Sequence, residues 1–153
     1  MILFWFMLSA HALTCPHGSD RFNCVEFVRA IDGDTIVIDI PGVHSYFGSK
    51  AEVRLYGIDT PEKKGGECEV KLSRMATRLV ESELKAAKRI DVQLIANSKG
   101  KMRREKFGRI LAKVFVEGKN LSDVLLKNNL AVEYHGEKKK KIDWCTLGKK
   151  YLK

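Results

Sequence analysis

No lysine or arginine precedes Arg21, although the chain of 153 residues holds 28 of them and carries a formal charge of +9. The positive excess therefore sits on the later part of the chain. That points to a polyanion as partner, nucleic acid first and an anionic membrane surface second. The plain alternative is a domain that is merely basic. A run long enough to span a bilayer is also missing, because the apolar stretch Met1–Leu8 is too short. There is no internal repeat and no linker, and 153 residues suffice for one compact domain but not two.

The first residues are an apolar run followed by Ser9-Ala10-His11-Ala12, an Ala-x-Ala pattern like a secretory cleavage site. The basic region that normally precedes such a run is missing, as if the true start lay upstream. The alternative is a buried N-terminal strand. The expectation is a leader at 1–12, an N-terminal extension at 13–24 and one folded domain at 25–153, exported to the periplasm or outside the cell. Cysteine is scarce but even in number: Cys15, Cys24, Cys68 and Cys145 all lie beyond Ala12. In an exported chain that count fits two disulfides, with three possible pairings. The expected pairing is Cys15–Cys24, closing a short loop, and Cys68–Cys145, tying the C-terminal tail to the body. A zinc site at Cys15, His17 and Cys24 lacks a fourth ligand at the usual spacing.

Apolar, β-branched runs at 25–31 and 35–40 flank Asp32-Gly33-Asp34, a hairpin-turn signal. A loop at 41–50 follows. Residues 51–58 alternate, with Ala51, Val53, Leu55 and Gly57 on one face and Arg54 and Tyr56 on the other. From Glu69 to Arg89 the period becomes helical, with Leu72, Met75, Ala76, Leu79, Val80, Leu84 and Ala87 on one side. Strands are expected at 90–96 and 110–116, a short helix capped by Ser122 and ended by Asn128-Asn129, and an extended stretch at 130–134. The lysine run Lys138–Lys141 reads as a basic tail. The fold class is mainly β with α (α+β), a small barrel of the oligonucleotide-binding type with packed helices.

Three fragments carry chemistry. Asp32-Gly33-Asp34-Thr35 is by itself a common turn, but Asp34 leads directly into a strand. Asp59-Thr60-Pro61-Glu62 reads either as a capped turn or as a set of oxygens. In the second reading Asp34, Asp59 and the Thr60 carbonyl form half a coordination shell for a hard cation such as calcium, with water completing it. Glu62 is then left to act on water as a general base. Arg54 and Arg109 supply guanidinium groups that match phosphate oxygens and offset the charge that builds up when a phosphodiester is attacked. Either arginine alone reads equally well as a solvated strand residue.

Taken together, Asp-Gly-Asp-Thr at 32–35, Arg-(x)4-Asp-Thr-Pro-Glu at 54–62 and Lys-Phe-Gly-Arg at 106–109 resemble the staphylococcal nuclease (thermonuclease) family over about residues 25–135. The resemblance implies a five-stranded barrel of the oligonucleotide-binding type with two to three helices. It implies a calcium-dependent phosphodiesterase that cuts DNA and RNA with little sequence preference and leaves 3′-phosphate ends. Asp34, Asp59 and Thr60 match the calcium ligands, Glu62 the general base, and Arg54 and Arg109 the phosphate-binding arginines. Lys106 is retained as a basic neighbour in the substrate region, and Tyr134, with His135-Gly136-Glu137-Lys138, approximates the substrate-stacking region at a different spacing. Phe107 stands where the family carries a tyrosine, and the C-terminal helix is shortened. DNA and RNA are the implied partners, with no stable protein partner and a monomeric state expected. The rival classes are a binding-only module of the same barrel type and a secreted basic protein acting on membranes or proteins.

Overall fold

In the computed structural model, residues 15–103 and 108–152 are described. The expected leader, Lys106 and Phe107 lie outside the described residues. The chain begins with β1 (Arg21–Phe22), β2 (Glu26–Ala30) and β3 (Thr35–Asp39), then the short helix α1 (Ser45–Gly48), β4 (Ala51–Leu55) and β5 (Ile58–Asp59). The long helix α2 (Glu67–Ala86) precedes β6 (Ile90–Leu94), β7 (Ile110–Val116) and β8 (Lys119–Asn120). The chain closes with α3 (Leu121–Lys127), β9 (Val132–Glu133), α4 (Trp144–Leu147) and a 3-10 turn at Lys149–Tyr151. The class is α+β, as the alternation of periods indicates.

The main sheet has seven strands in the order β1-β6-β7-β4-β3-β2, with β8 added beside β7. Its order is that of an oligonucleotide-binding fold, but among the described residues hydrogen-bonded ladders do not close it into a barrel. The seam is spanned instead by the Val25 N–H, which donates to the Ile90 carbonyl at 2.9 Å, and by the Cys24 N–H, which donates to Asp91 Oδ1 at 3.0 Å. Arg21–Phe22, inside the expected extension, pairs with Gln93 and Val92.

The β3 side chains Ile36 and Ile38 and the β4 side chains Val53 and Leu55 are fully buried. α2 lays Leu72, Ala76, Val80 and Leu84 over this sheet, a spacing of four residues that keeps them on one stripe. Burying each of the larger side chains contributes about 1.5–3 kcal/mol. The exposed Lys85–Glu81 pair on the same helix contributes about 0.3–0.5 kcal/mol at most. Packing, not surface charge, fixes α2. Gly33 marks how close this packing is, since a Cβ there would lie 2.7 Å from Ala76 Cβ and 3.0 Å from Thr60 Oγ1.

Three local expectations are corrected. α2 ends at Ala86, and the backbone N–H groups of Lys88 and Arg89 donate to Glu117 Oε1 instead of continuing the helix. The cap of α3 is Asn120, whose side chain accepts from the Ser122 N–H. Ser122 Oγ is used elsewhere, donating to the Tyr56 carbonyl at 3.1 Å. The loop at 41–50 contains the single turn α1, capped by the His44 side chain.

The disulfides are Cys15–Cys24 and Cys68–Cys145. The second joins the first turn of α2 to α4, whose Trp144 is buried in the core. Sequence separations of 77 and 9 residues correspond to losses of about 4.5 and about 2.5 kcal/mol in the chain-entropy view. Cys68→Ser/Cys145→Ser is therefore expected to lower urea-unfolding stability more than Cys15→Ser/Cys24→Ser does. Equal losses, read from denaturation curves of the two double variants, would refute this order.

Candidate active site

The site starts from strand register. β3 and β4 pair antiparallel with Thr35 opposite Arg54, and the Leu55 N–H donates to the Asp34 carbonyl at 2.8 Å. Asp34, at the mouth of β3, is thereby set beside the side chain of Arg54. The turn before it is held by Asp32, whose Oδ1 accepts from the Asp34 N–H at 3.1 Å. After β4, Gly57 takes φ +85°, a conformation disfavoured for residues with a Cβ. The chain there reverses into β5 and delivers Asp59 and Thr60 to the same place.

Arg54 Nη1 lies 3.1 Å from Asp34 Oδ2, and Nη2 lies 3.4 Å from Asp59 Oδ1. The guanidinium also donates to the carbonyls of Leu55 and Ile58 at 3.2 and 3.0 Å. Its side chain is 11% exposed and that of Asp34 10%, so this is a buried ion pair. Thr60 donates twice to Asp34 Oδ2, from its N–H at 3.1 Å and its hydroxyl at 2.9 Å. Thr35 Oγ1 donates to Asp34 Oδ1 at 3.2 Å and in turn accepts from Arg109 Nη1 at 3.4 Å. Arg109 stands just before β7, which runs parallel to β4 with Val53 opposite Ile110.

Two clefts meet here. One, of about 310 Å³, includes Asp32, Asp34, Asp59, Thr60 and Glu62, with Lys63 and Lys64 beside them. The other, of about 480 Å³, includes Tyr56, Arg103, Tyr134 and His135. Arg54, Arg109 and Lys139 border both. The expected residues Asp34, Arg54, Asp59, Thr60, Glu62, Arg109 and Tyr134 are thus brought to one continuous surface. Tyr134 is fixed through its N–H, which donates to the Gly57 carbonyl at 3.0 Å. Glu62 differs from expectation in being engaged: its Oε1 is 3.0 Å from Lys139 Nζ. Lys139 was not legible among four consecutive lysines. Arg103 carried no motif at all, and His135 stood out only as part of the stretch after Tyr134.

Burial pushes the Asp34 carboxyl up to about 7; Arg54 and the Thr60 hydrogen bond oppose this, and nearby Asp32 reinforces it. Among the described residues no group of three or more His, Cys, Asp or Glu side chains is arranged to hold a metal. A hard cation would therefore use the two carboxylates Asp34 and Asp59, with backbone oxygen and water for the remainder. The donor set fits that use. It is all oxygen, one of its carboxyls is held high by lack of solvent, and a cationic ammonium already rests on Asp59 at 2.9 Å. Among the described residues no helix is long and apolar enough to cross a membrane.

A family model described as staphylococcal nuclease homologue matches residues 52–147. Endonuclease YncB of Bacillus subtilis (strain 168) is 37% identical over 119 residues, which cover 76% of this chain and 51% of that protein. SPbeta prophage-derived endonuclease YokF of the same organism is 38% identical over 104 residues, covering 67% of this chain and 31% of that protein. The chain thus spans about half the length of the first relative and about a third of the second.

The raised Asp34 carboxyl makes a signed prediction. An unfolded aspartate releases its proton near 3.8, the folded one near 7. Between these values the native state binds more protons, so Asp34 subtracts stability as pH rises through this window and costs its full amount above it. In chelator, the stability of Asp34→Asn relative to the parent should rise by on the order of 2–4 kcal/mol from about pH 4 to about pH 8. A difference in urea-unfolding free energy that stays flat across this window would contradict the assignment.

Proposed function

The chain belongs to the family of staphylococcal nuclease homologues, and on that premise we propose that it is a calcium-dependent endonuclease hydrolysing phosphodiester bonds of DNA and RNA. The observation that carries the reading is the convergence of Asp34, Arg54, Asp59, Glu62 and Arg109 on two adjoining clefts. A binding-only module has no need of two adjacent aspartates, an exposed glutamate and two arginines in one place.

Asp34 and Asp59, with the Thr60 carbonyl, would hold the calcium, which supplies charge stabilisation to a phosphate oxygen. Thr60 N–H and hydroxyl fix the Asp34 carboxylate, and Thr35 links that carboxylate to Arg109. Arg54 and Arg109 contact the non-bridging oxygens and gain most as the five-coordinate phosphorus forms. With its terminal nitrogens committed to Asp34 and Asp59, Arg54 faces phosphate fully only when those carboxylates are shared with another cation. Glu62, with a side chain 66% exposed, accepts a proton from the attacking water. The bond from phosphorus to the 5′ oxygen breaks, that oxygen takes up a proton, and the new phosphate stays on the 3′ side. The +9 charge concentrates polynucleotide without reading its sequence, so binding weakens steeply with salt.

Export to the periplasm or cell exterior completes the proposal, supported by the Ala-x-Ala pattern and by two disulfides, which persist in oxidising compartments. A monomer without stable protein partners is part of it.

The test is cleavage of plasmid DNA and of RNA with calcium or with chelator. Activity should vanish in chelator. Glu62→Gln and Arg109→Ala should each lower the rate by roughly two orders of magnitude or more, with circular dichroism unchanged. Cutting that survives chelator, or that is untouched by Glu62→Gln, sinks the mechanism.

A further inference from the structure

One lysine of the basic run leaves its neighbours and enters the site. Lys139 Nζ lies 2.9 Å from Asp59 Oδ1 and 3.0 Å from Glu62 Oε1. It therefore bridges an expected cation ligand and the expected base. Its side chain is 50% exposed and that of Asp59 14%, so the bridge runs from a largely shielded carboxylate to an ammonium half in solvent. The ammonium also lies 6.0 Å from the centroid of the Tyr134 ring and borders both clefts. The segment that carries it is fixed at both ends. Upstream, β9 pairs with β5 and the Tyr134 N–H binds the Gly57 carbonyl. Downstream, Trp144 is buried and Cys145 is bonded to Cys68. The backbone reach of Lys139 is thus set, while its four-carbon stem turns freely.

An ammonium and a divalent cation cannot both sit against Asp59 Oδ1 without strong like-charge repulsion. We propose that Lys139 is the resident counter-cation of this site: it competes with the divalent cation for Asp59, and on displacement turns into the adjoining cleft to bind the phosphate backbone. There it joins Arg54, Arg103 and Arg109 beside Tyr134. Cation and polynucleotide then favour each other's binding, because the residue that leaves one site serves the other. The proposal rests on the reading of these clefts as a cation and phosphate site.

The test compares the full chain, Lys139→Met, Lys139→Arg and Lys119→Met, the last removing the same charge from the exposed end of β8. Calcium affinity is read by titration calorimetry without nucleic acid. Binding of a labelled, hydrolysis-resistant phosphorothioate oligothymidylate is read by anisotropy at saturating calcium. Lys139→Met should bind calcium about three- to tenfold more tightly and the oligonucleotide about three- to tenfold more weakly. Lys139→Arg should stay nearer the parent in both, and Lys119→Met should change each by less than about twofold. Unchanged or weaker calcium binding by Lys139→Met overturns the competition and leaves the nuclease reading standing. Tighter calcium binding with unchanged oligonucleotide binding overturns the handover. Absence of calcium binding in all four proteins overturns the proposal together with the calcium site on which it rests.

Discussion

The buried pair between Arg54 and Asp34 is the constraint on which the site depends. Two charges withdrawn from water are tolerable only when their remaining hydrogen-bonding capacity is met. Here it is met by Thr60 and Thr35 on the acid and by the Leu55 and Ile58 carbonyls on the base. Those partners come from β3, the end of β4 and the β5 corner, so the pair specifies where these three stretches must stand relative to one another. The same pair keeps the Asp34 carboxyl only partly compensated, since burial outweighs the arginine. A group in that condition gains from an added cation, which is why the electrostatics of the site and its suitability for a hard metal are one property.

The helix behind the site works on it through contact. Ala76 approaches Gly33 so closely that the turn leading to Asp34 has no room for a side chain. α2 is itself pinned at its first turn by Cys68–Cys145 and along its length by the buried stripe from Leu72 to Leu84. The acidic turn therefore rests on a rigid element, and small changes in α2 would be felt at Asp34.

Much of this was legible in the chain. Period two at 51–58 and the helical stripe from Leu72 to Leu84 gave the main elements, because each buries one face and must repeat at its own spacing. Asp34, Arg54, Asp59, Thr60, Glu62 and Arg109 stand out as a set through three fragments and the family resemblance, since either arginine alone reads as a solvated strand residue, and the structure brings them to adjoining clefts. The misses have physical causes. Both Asn120 and Ser122 can accept from a helix N-terminus, and only the position of the Tyr56 carbonyl, far away in sequence, assigns Ser122 elsewhere. Lys88 and Arg89 continue a helical pattern, but Glu117 draws their N–H groups away. Lys139 has three lysine neighbours of identical chemistry, and nothing local distinguishes the one that reaches Asp59.

The parallel pairing of β4 with β7 bears on how this surface comes into being. Val53 meets Ile110 and Arg54 meets Leu111 only after α2 and β6, which lie between them in the chain, have been folded past. Such a contact closes a long loop before it gives any return, and topologies dominated by such closures reach the native state slowly. The β2–β3–β4 meander needs no such closure and can assemble first. Arg109 comes into line with Thr35 once β7 is docked. Asp34 and Arg54 thus need only the meander to meet, whereas Asp59 on β5, paired with β9, and Arg109 before β7 depend on later parts of the chain.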